Sequence, residues 1–408
     1  MLSALAPTML ALIAARVVQG LGGGGLRAVS LAVVGDILPP RERGRVQGYL
    51  STAFATANVI GPVLGGLFSS HLSWHWIFWI NLPLGAAAFA MTYLQLRRLP
   101  RPTRRPRIDW LGAVLILLAF TPFLLGITYV QRAGSWLSPA ALGCFVLGAV
   151  FLAALLVQEA SAPEPMLPLH LFRNPIFTVA IVITCLASMM MTALVILIPL
   201  YYQLVSGLSP NEAGLRMIAM TLGSVTGSFL AGQAVTWTGR YRFLPIMGTS
   251  VATLMSALIA LIGLGHSLLL DSAVTLLLGL AFGCQFSPMT VTVQNALEPK
   301  DGGIGVSCMM FFRLMGGAFG VALLSAILLG GLAAGAEALG GAAALGESPG
   351  LALMRAGHDG GVDAALLQAL RQTARETFSL VFGVASAILA VALGFALALR
   401  EVPLRGRE

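Results

Sequence analysis

Apolar runs of about 20 residues dominate this sequence, and that is the length an α-helix needs to cross the hydrocarbon of a bilayer. Lipid offers the backbone no hydrogen-bond partner, so a spanning segment must be a helix or a strand of a closed barrel. Barrel strands alternate apolar and polar residues, and these runs do not. Only 10% of the 408 residues are charged and 57% are hydrophobic, whereas a soluble domain carries about 25% charged residues. Mean hydropathy is +0.89. The expected fold class is therefore an all-α membrane protein.

Eleven spans are expected, at roughly 9–34, 46–68, 76–96, 108–130, 139–157, 176–203, 211–235, 243–264, 268–296, 303–332 and 377–399. Most connections are short. Residues 158–175 are Pro-rich and polar, and residues 333–376 are Gly/Ala-rich with scattered charges, which predicts a mobile extramembrane loop. The net charge of +8 sits in short segments between apolar runs, where it sets orientation rather than binding nucleic acid. One set of alternate loops plus the C-terminal tail carries sixteen of the basic residues, including Arg97, Arg98, Arg101, Arg104, Arg105 and Arg107; the opposite side carries five. The richer side is expected to be cytoplasmic. The first span would then enter from outside with no basic stretch ahead of it, an arrangement natural to a chain preceded by an odd number of helices.

An internal repeat agrees. At a shift of 259 residues, Gly20 meets Gly279, Gly24 meets Gly283, Pro40 meets Pro299, Gly44 meets Gly303 and Gly61 meets Gly320. Glycine and proline fix close helix approach and turn geometry, so an ordered set of such matches describes two bundles in parallel repeat, an architecture used by transporters. The three spans at 176–264 precede the matched region of the second copy. Their counterparts would fall before Met1, and about three upstream helices are expected.

Several motifs lack the context their chemistry needs. Gly20, Gly22 and Gly25 spell GxGxxG inside a helical run, without the strand a dinucleotide site requires. Gly346, Ser348 and Gly350 spell GxSxG in the Gly/Ala-rich segment rather than at a strand-to-helix turn. No GxxxxGK[ST] is present, and Lys300 is the single lysine. His71 and His75 flank Trp74 and Trp76 in the manner of a membrane interface rather than a metal site. Neither a metal nor a cofactor is expected, and no paired carboxylates or clustered histidines suggest an enzyme.

The informative residues are polar groups within spans. Arg16 and Gln19 share one helix face, and an arginine so deep needs a partner or a wet cavity. Arg313 has the same reading. Asn58, Gln203, Gln285, Gln294 and Asn295 are candidates to line a cavity or to bond between helices. In the run Gly61-Pro62-Val63-Leu64-Gly65-Gly66, Pro62 kinks the second span while Gly61, Gly65 and Gly66 permit close approach.

These residues carry a resemblance. Arg16 through Gly24 resembles motif B of the major facilitator superfamily, and Gly61 through Gly66 resembles its antiporter motif C. Pro39 through Arg45 and Ser73 through Pro83 are similar to stretches of its fourteen-helix drug:proton antiporter family, the EmrB/QacA type. The resemblance implies a major facilitator fold of about eleven helices in two pseudo-repeated bundles. A truncated N-terminal bundle would occupy 1–96, two inserted helices and a cytoplasmic linker 97–175, and a six-helix bundle 176–408. It implies antiport at a cell inner membrane: hydrophobic or cationic drugs leave in exchange for protons, Arg16 and Gln19 take part in proton coupling, and a Gram-negative host would supply a periplasmic adaptor. In the second-half loop Gly232 through Arg240, Thr236 stands where the family pattern has aspartate. The opposing expectation is a transport-inactive membrane fragment of such a protein.

Overall fold

A computed structural model describes residues 2–37, 75–96, 109–133, 136–298, 301–338 and 364–402, together with the single positions 46, 53, 57 and 68. The described elements are helical: α1 (Met9–Ile37), α2 (Trp76–Trp79), α3 (Asn81–Leu96), α4 (Trp110–Ala133), α5 (Pro139–Ser161), α6 (Pro175–Leu204), α7 (Pro210–Thr238), α8 (Phe243–Ile262), α9 (Leu268–Ala296), α10 (Gly302–Ala338) and α11 (Ala364–Ala398). Nine of the described helical segments are long and apolar enough to span a bilayer, with Trp76–Gln95 counted as one. The chain is thus a multi-pass α-helical membrane protein. The expected span at 46–68 lies outside the described residues, apart from isolated positions.

Local chemistry starts four of the helices. Ser138, Asn174, Ser209 and Ser267 are N-caps whose side chains accept from the amides of Ala141, Ile176, Glu212 and Leu270. Pro139, Pro175 and Pro210 follow three of them, where the missing N–H costs nothing. Glu212 returns a bond to the Ser209 amide at 2.9 Å, completing a capping box. Gly239 (φ 68°) and Gly263 (φ 83°) end α7 and α8 in the left-handed region, where a Cβ would be strained.

The described helices α6 to α11 pack against one another, with two closely approached helix pairs. In the α7/α9 pair a methyl on Gly223 or Gly227 would fall on the carbonyls of Leu276 or Leu280, and one on Gly279 or Gly283 on those of Met220 or Ser224. In the α6/α10 pair Gly316 and Gly320 lie against the carbonyls of Cys185 and Met189. Without a hydrophobic force between helices in lipid, such close approach is the main source of association. Gly279, Gly283 and Gly320 are the second-copy members of the sequence repeat. Their partners Gly20 and Gly24 have nothing within 4 Å, and Gly61 lies outside the described residues.

The described ends of the segment 333–376 differ from the expected loop. They are helical: α10 continues to Ala338 and α11 begins at Ala364. The two helices pack as they leave the span, Gly331 against Thr377 and Gly335 against Thr373, with Ala336, Leu370 and Ala374 buried. Ala, Leu, Gln and Arg are strong helix formers, and that preference carries the pair past the membrane core. The α4/α5 hairpin packs on itself and reaches the C-terminal bundle through α10, where Phe120 meets Phe311 and Phe319 edge-on at 5.4 and 6.3 Å.

Candidate functional site

Arg16 lies on the exposed side of α1. Its Nη1 donates to Gln19 Oε1 at 3.3 Å, one turn on, and its guanidinium sits over the Phe78 ring of α2 at 4.7 Å. A cation over an aromatic face gains about 0.5–1 kcal/mol at an exposed site, enough to orient the group without neutralising it. Among the described residues no carboxylate pairs with Arg16. α1 also packs against α10.

Arg313, half-buried on α10, stacks its guanidinium on Phe286 of α9 at 3.7 Å. Ser188 of α6 donates to the Arg313 carbonyl at 2.6 Å. Three helices of the C-terminal bundle therefore converge on one residue. Pro288 stands two positions after Phe286 inside α9 and removes a backbone donor there.

The amides scatter. Gln285 is 1% exposed and neither its Nε2 nor its Oε1 has a hydrogen-bond partner. Its side chain lies against Gly248 of α8, where a methyl would fall 3.0 Å from Gln285 Cγ. Gln294 follows on the same helix by about two and a half turns, which places it on the opposite side of α9. Asn295 Nδ2 donates to the Val402 carbonyl at 3.4 Å, beside Tyr241, whose hydroxyl accepts from the Val402 amide at 3.0 Å. Burial pushes the Tyr241 hydroxyl above the usual phenol range. Asn295 thus anchors the C-terminal tail. Gln203 Nε2 donates back to the Pro199 carbonyl in its own helix at 3.3 Å. Asn58, Gly61, Pro62, Gly65 and Gly66 lie outside the described residues. The structure therefore brings together Arg16 with Gln19, and Arg313 with Phe286, and among the described residues gathers no ring of amides. Thr236 Oγ1 bonds to the Gly232 carbonyl of its own helix at 3.0 Å.

The sequence pointed to neither partner in a buried ion pair: Arg216 of α7 and Asp271 of α9, 2.7 Å apart. Asp271 also accepts from the Gly265 amide at 2.9 Å, and the Arg216 guanidinium covers the Tyr202 ring at 5.0 Å.

The family model of the Major Facilitator Superfamily matches residues 1–321. An uncharacterized MFS-type transporter of Mycobacterium tuberculosis is 32% identical over 328 residues, covering 80% of this chain and 48% of that protein. Multidrug resistance protein 3 of Bacillus subtilis is 29% identical over 80% of this chain and 63% of its own length. The multidrug transporter protein MdtP of the same organism is 30% identical over 80% and 60%. The chain thus spans about half to two thirds of the length of these relatives. Among solved structures, an inward-facing, occupied bacterial homolog of the human lysosomal transporter Spinster matches 97% of this chain and 78% of its own, with a TM-score of 0.57 at 16% identity. That likeness shows the shared helical fold.

Proposed function

The chain belongs to the major facilitator superfamily, and from that premise we propose that it serves as a proton-coupled antiporter of the fourteen-helix type, exporting hydrophobic or cationic compounds across the inner membrane. Family and relatives point to transport rather than to an enzyme. Relatives named for multidrug resistance and multidrug transport support the substrate class. The observation that supports proton coupling is Arg16: a guanidinium in the first expected span, held by Gln19 and Phe78, with no carboxylate paired to it among the described residues. A charge kept in a span at a cost of about 2.5–3.5 kcal/mol is retained for use. In this reading it meets an acid or a substrate only in part of the cycle, and the Gly61–Gly66 motif seals one end of the path.

The test is efflux of a hydrophobic cationic dye from cells and proteoliposomes under an imposed pH gradient. Collapse of the gradient should abolish efflux. Arg16→Ala should do the same, and Arg16→Lys should restore it poorly because lysine lacks the planar fork and loses its proton more readily when buried. Dye efflux indifferent to both the gradient and Arg16 would overturn proton coupling through this residue.

A further inference from the structure

Where α8 ends, it and the early turns of α11 enclose a polar cavity of about 180 Å³, lined among others by Tyr201, Gly263, Gln372, Arg375, Glu376 and Ser379. The four α11 residues stand at i, i+3, i+4 and i+7, so they share one helix face. That face is fastened to carbonyls in the last turn of α8, which has no intrahelical donors to offer them. Arg375 Nη2 donates to the Ile262 carbonyl at 3.2 Å and Ser379 Oγ to the Ala260 carbonyl at 2.6 Å. Tyr201 of α6 forms the buried wall, its hydroxyl donating to the Leu264 carbonyl and accepting from the Leu264 amide, each at 3.2 Å. Gly263 keeps the space open: a methyl there would fall 2.6 Å from the Tyr201 hydroxyl and 3.7 Å from Arg375 Nε.

The cavity carries both signs of charge. The Arg375 guanidinium has five N–H donors in a planar fork, and one of them is bonded to Ile262. Glu376 Oε1 accepts from Gln372 Nε2 at 2.7 Å. Among the described residues the carboxylate is thus oriented by an amide, and the two opposite charges line the cavity without pairing to each other. The depth is also defined. α8 ends its apolar run at Ile262, and α11 begins its own at Phe378. Leu261 and Leu380 beside the cavity are exposed. Exposed leucines next to a polar rim mark the surface that meets acyl chains, and a span end is the level of the headgroups. The volume is several times the roughly 30 Å³ of one liquid water and below the about 300–1,000 Å³ of a drug-sized site. It suits a headgroup, not a whole substrate.

We propose that this cavity binds the headgroup of an aminophospholipid, with the phosphate on Arg375, the primary ammonium on Glu376 and the acyl chains along the exposed leucines of α8 and α11. The guanidinium fork matches phosphate oxygens, and a carboxylate accepts strongly from an ammonium N–H. A trimethylated headgroup has no N–H to give Glu376, and a glycerol headgroup has no positive charge. The bound lipid would tie α8 to α11 against the Tyr201 wall of α6. The site is separate from the Arg16 region and does not rest on how transport is coupled.

Native mass spectrometry of the full chain, released from nanodiscs of equal phosphatidylethanolamine, phosphatidylcholine and phosphatidylglycerol, tests this. The wild-type protein should retain phosphatidylethanolamine about tenfold over either of the others, the preference expected of one hydrogen bond to a charged group. Glu376→Gln keeps the side-chain length and a partner for Gln372. It should bring the preference for phosphatidylethanolamine over phosphatidylcholine close to unity at an unchanged melting temperature in lipid-free detergent. Arg375→Gln should lose retained lipid of all three classes, and Arg375→Lys should recover part of it. Adding phosphatidylethanolamine to delipidated wild-type protein should raise its melting temperature by several degrees, and that of Glu376→Gln no more than phosphatidylcholine does. Free phosphoethanolamine at the same concentration should leave both unchanged, and stabilisation by it equal to the lipid's would overturn a lipid occupant. Equal retention of the three lipids by the wild type, or an unchanged preference in Glu376→Gln, would overturn the headgroup site.

Discussion

Arg216 of α7 donates from Nη1 to Asp271 Oδ2 of α9 at 2.7 Å, with the aspartate side chain 2% exposed and the arginine 22%. The bond joins the start of one glycine-packed helix to the start of its partner. Gly265 (φ 94°) adds its amide to the same carboxylate and so ties in the turn between α8 and α9.

This pair should behave as a buried one. Removing one partner strands the other, at a cost of about 3–5 kcal/mol. Asp271→Ala should therefore lower the melting temperature in detergent by many degrees, and Arg216→Ala by somewhat less because the arginine retains contact with solvent. The exchange Arg216→Asp with Asp271→Arg should recover only part of the loss, since the Gly265 amide then faces a guanidinium instead of an acceptor. Full stability in Asp271→Ala would show that the pair contributes nothing to the bundle.

The same interface predicts which glycines tolerate a methyl. Gly279→Ala would drive Cβ into the Met220 carbonyl, and two packed helix backbones must separate to admit it. Overpacking of this kind costs about 1–3 kcal/mol. Gly383→Ala on α11 has nothing within 4 Å and should be neutral or slightly stabilising, because alanine favours the helix. Thermal unfolding of the two variants side by side separates contact from propensity, and equal shifts would refute the packing argument.

Much of this architecture was legible because membrane helices advertise themselves one at a time. The 20-residue apolar runs located α4 through α9 nearly to their ends, and the repeat singled out Gly279, Gly283 and Gly320, each of which touches a neighbouring backbone. The helix ends beyond the membrane core were not legible in the same way. Hydropathy falls at residue 333 while helix propensity persists, so α10 and α11 run longer than the apolar pattern. The pairings were legible least of all. Arg216 and Asp271 sit in different helices 55 residues apart, and Asp109 and Glu159, both beside Gly112, come from the two arms of a helix hairpin. Each reads alone as a residue near a span end. Only the knowledge of which helices are neighbours turns such residues into pairs. Among the described residues the amide candidates stay apart for the converse reason: helix phase places Gln285 and Gln294 on opposite sides of α9, a test the sequence permits but the apolar pattern does not prompt.

Arg313 and Phe286 offer a test of whether the C-terminal bundle takes part in the transport cycle. The guanidinium lies 3.7 Å from the ring centroid, and a partly desolvated contact of this kind is worth about 0.5–2 kcal/mol. Phe286→Leu keeps an apolar side chain but removes the π face. Arg313→Gln keeps length and hydrogen-bonding capacity but removes the charge. If the stack sets the position of Arg313 between α6, α9 and α10, either change should slow dye efflux by a similar factor, and the double variant should be no slower than the worse single. That non-additivity is the mark of one interaction counted twice. Phe286→Tyr, which preserves the ring, should efflux at close to the wild-type rate. Additive losses in the double variant would mean that the two residues act separately and that the stack is only packing. The discriminating measurement is a double-mutant cycle on initial efflux rates, with membrane protein levels matched by quantitative blotting so that reduced insertion is not mistaken for reduced transport.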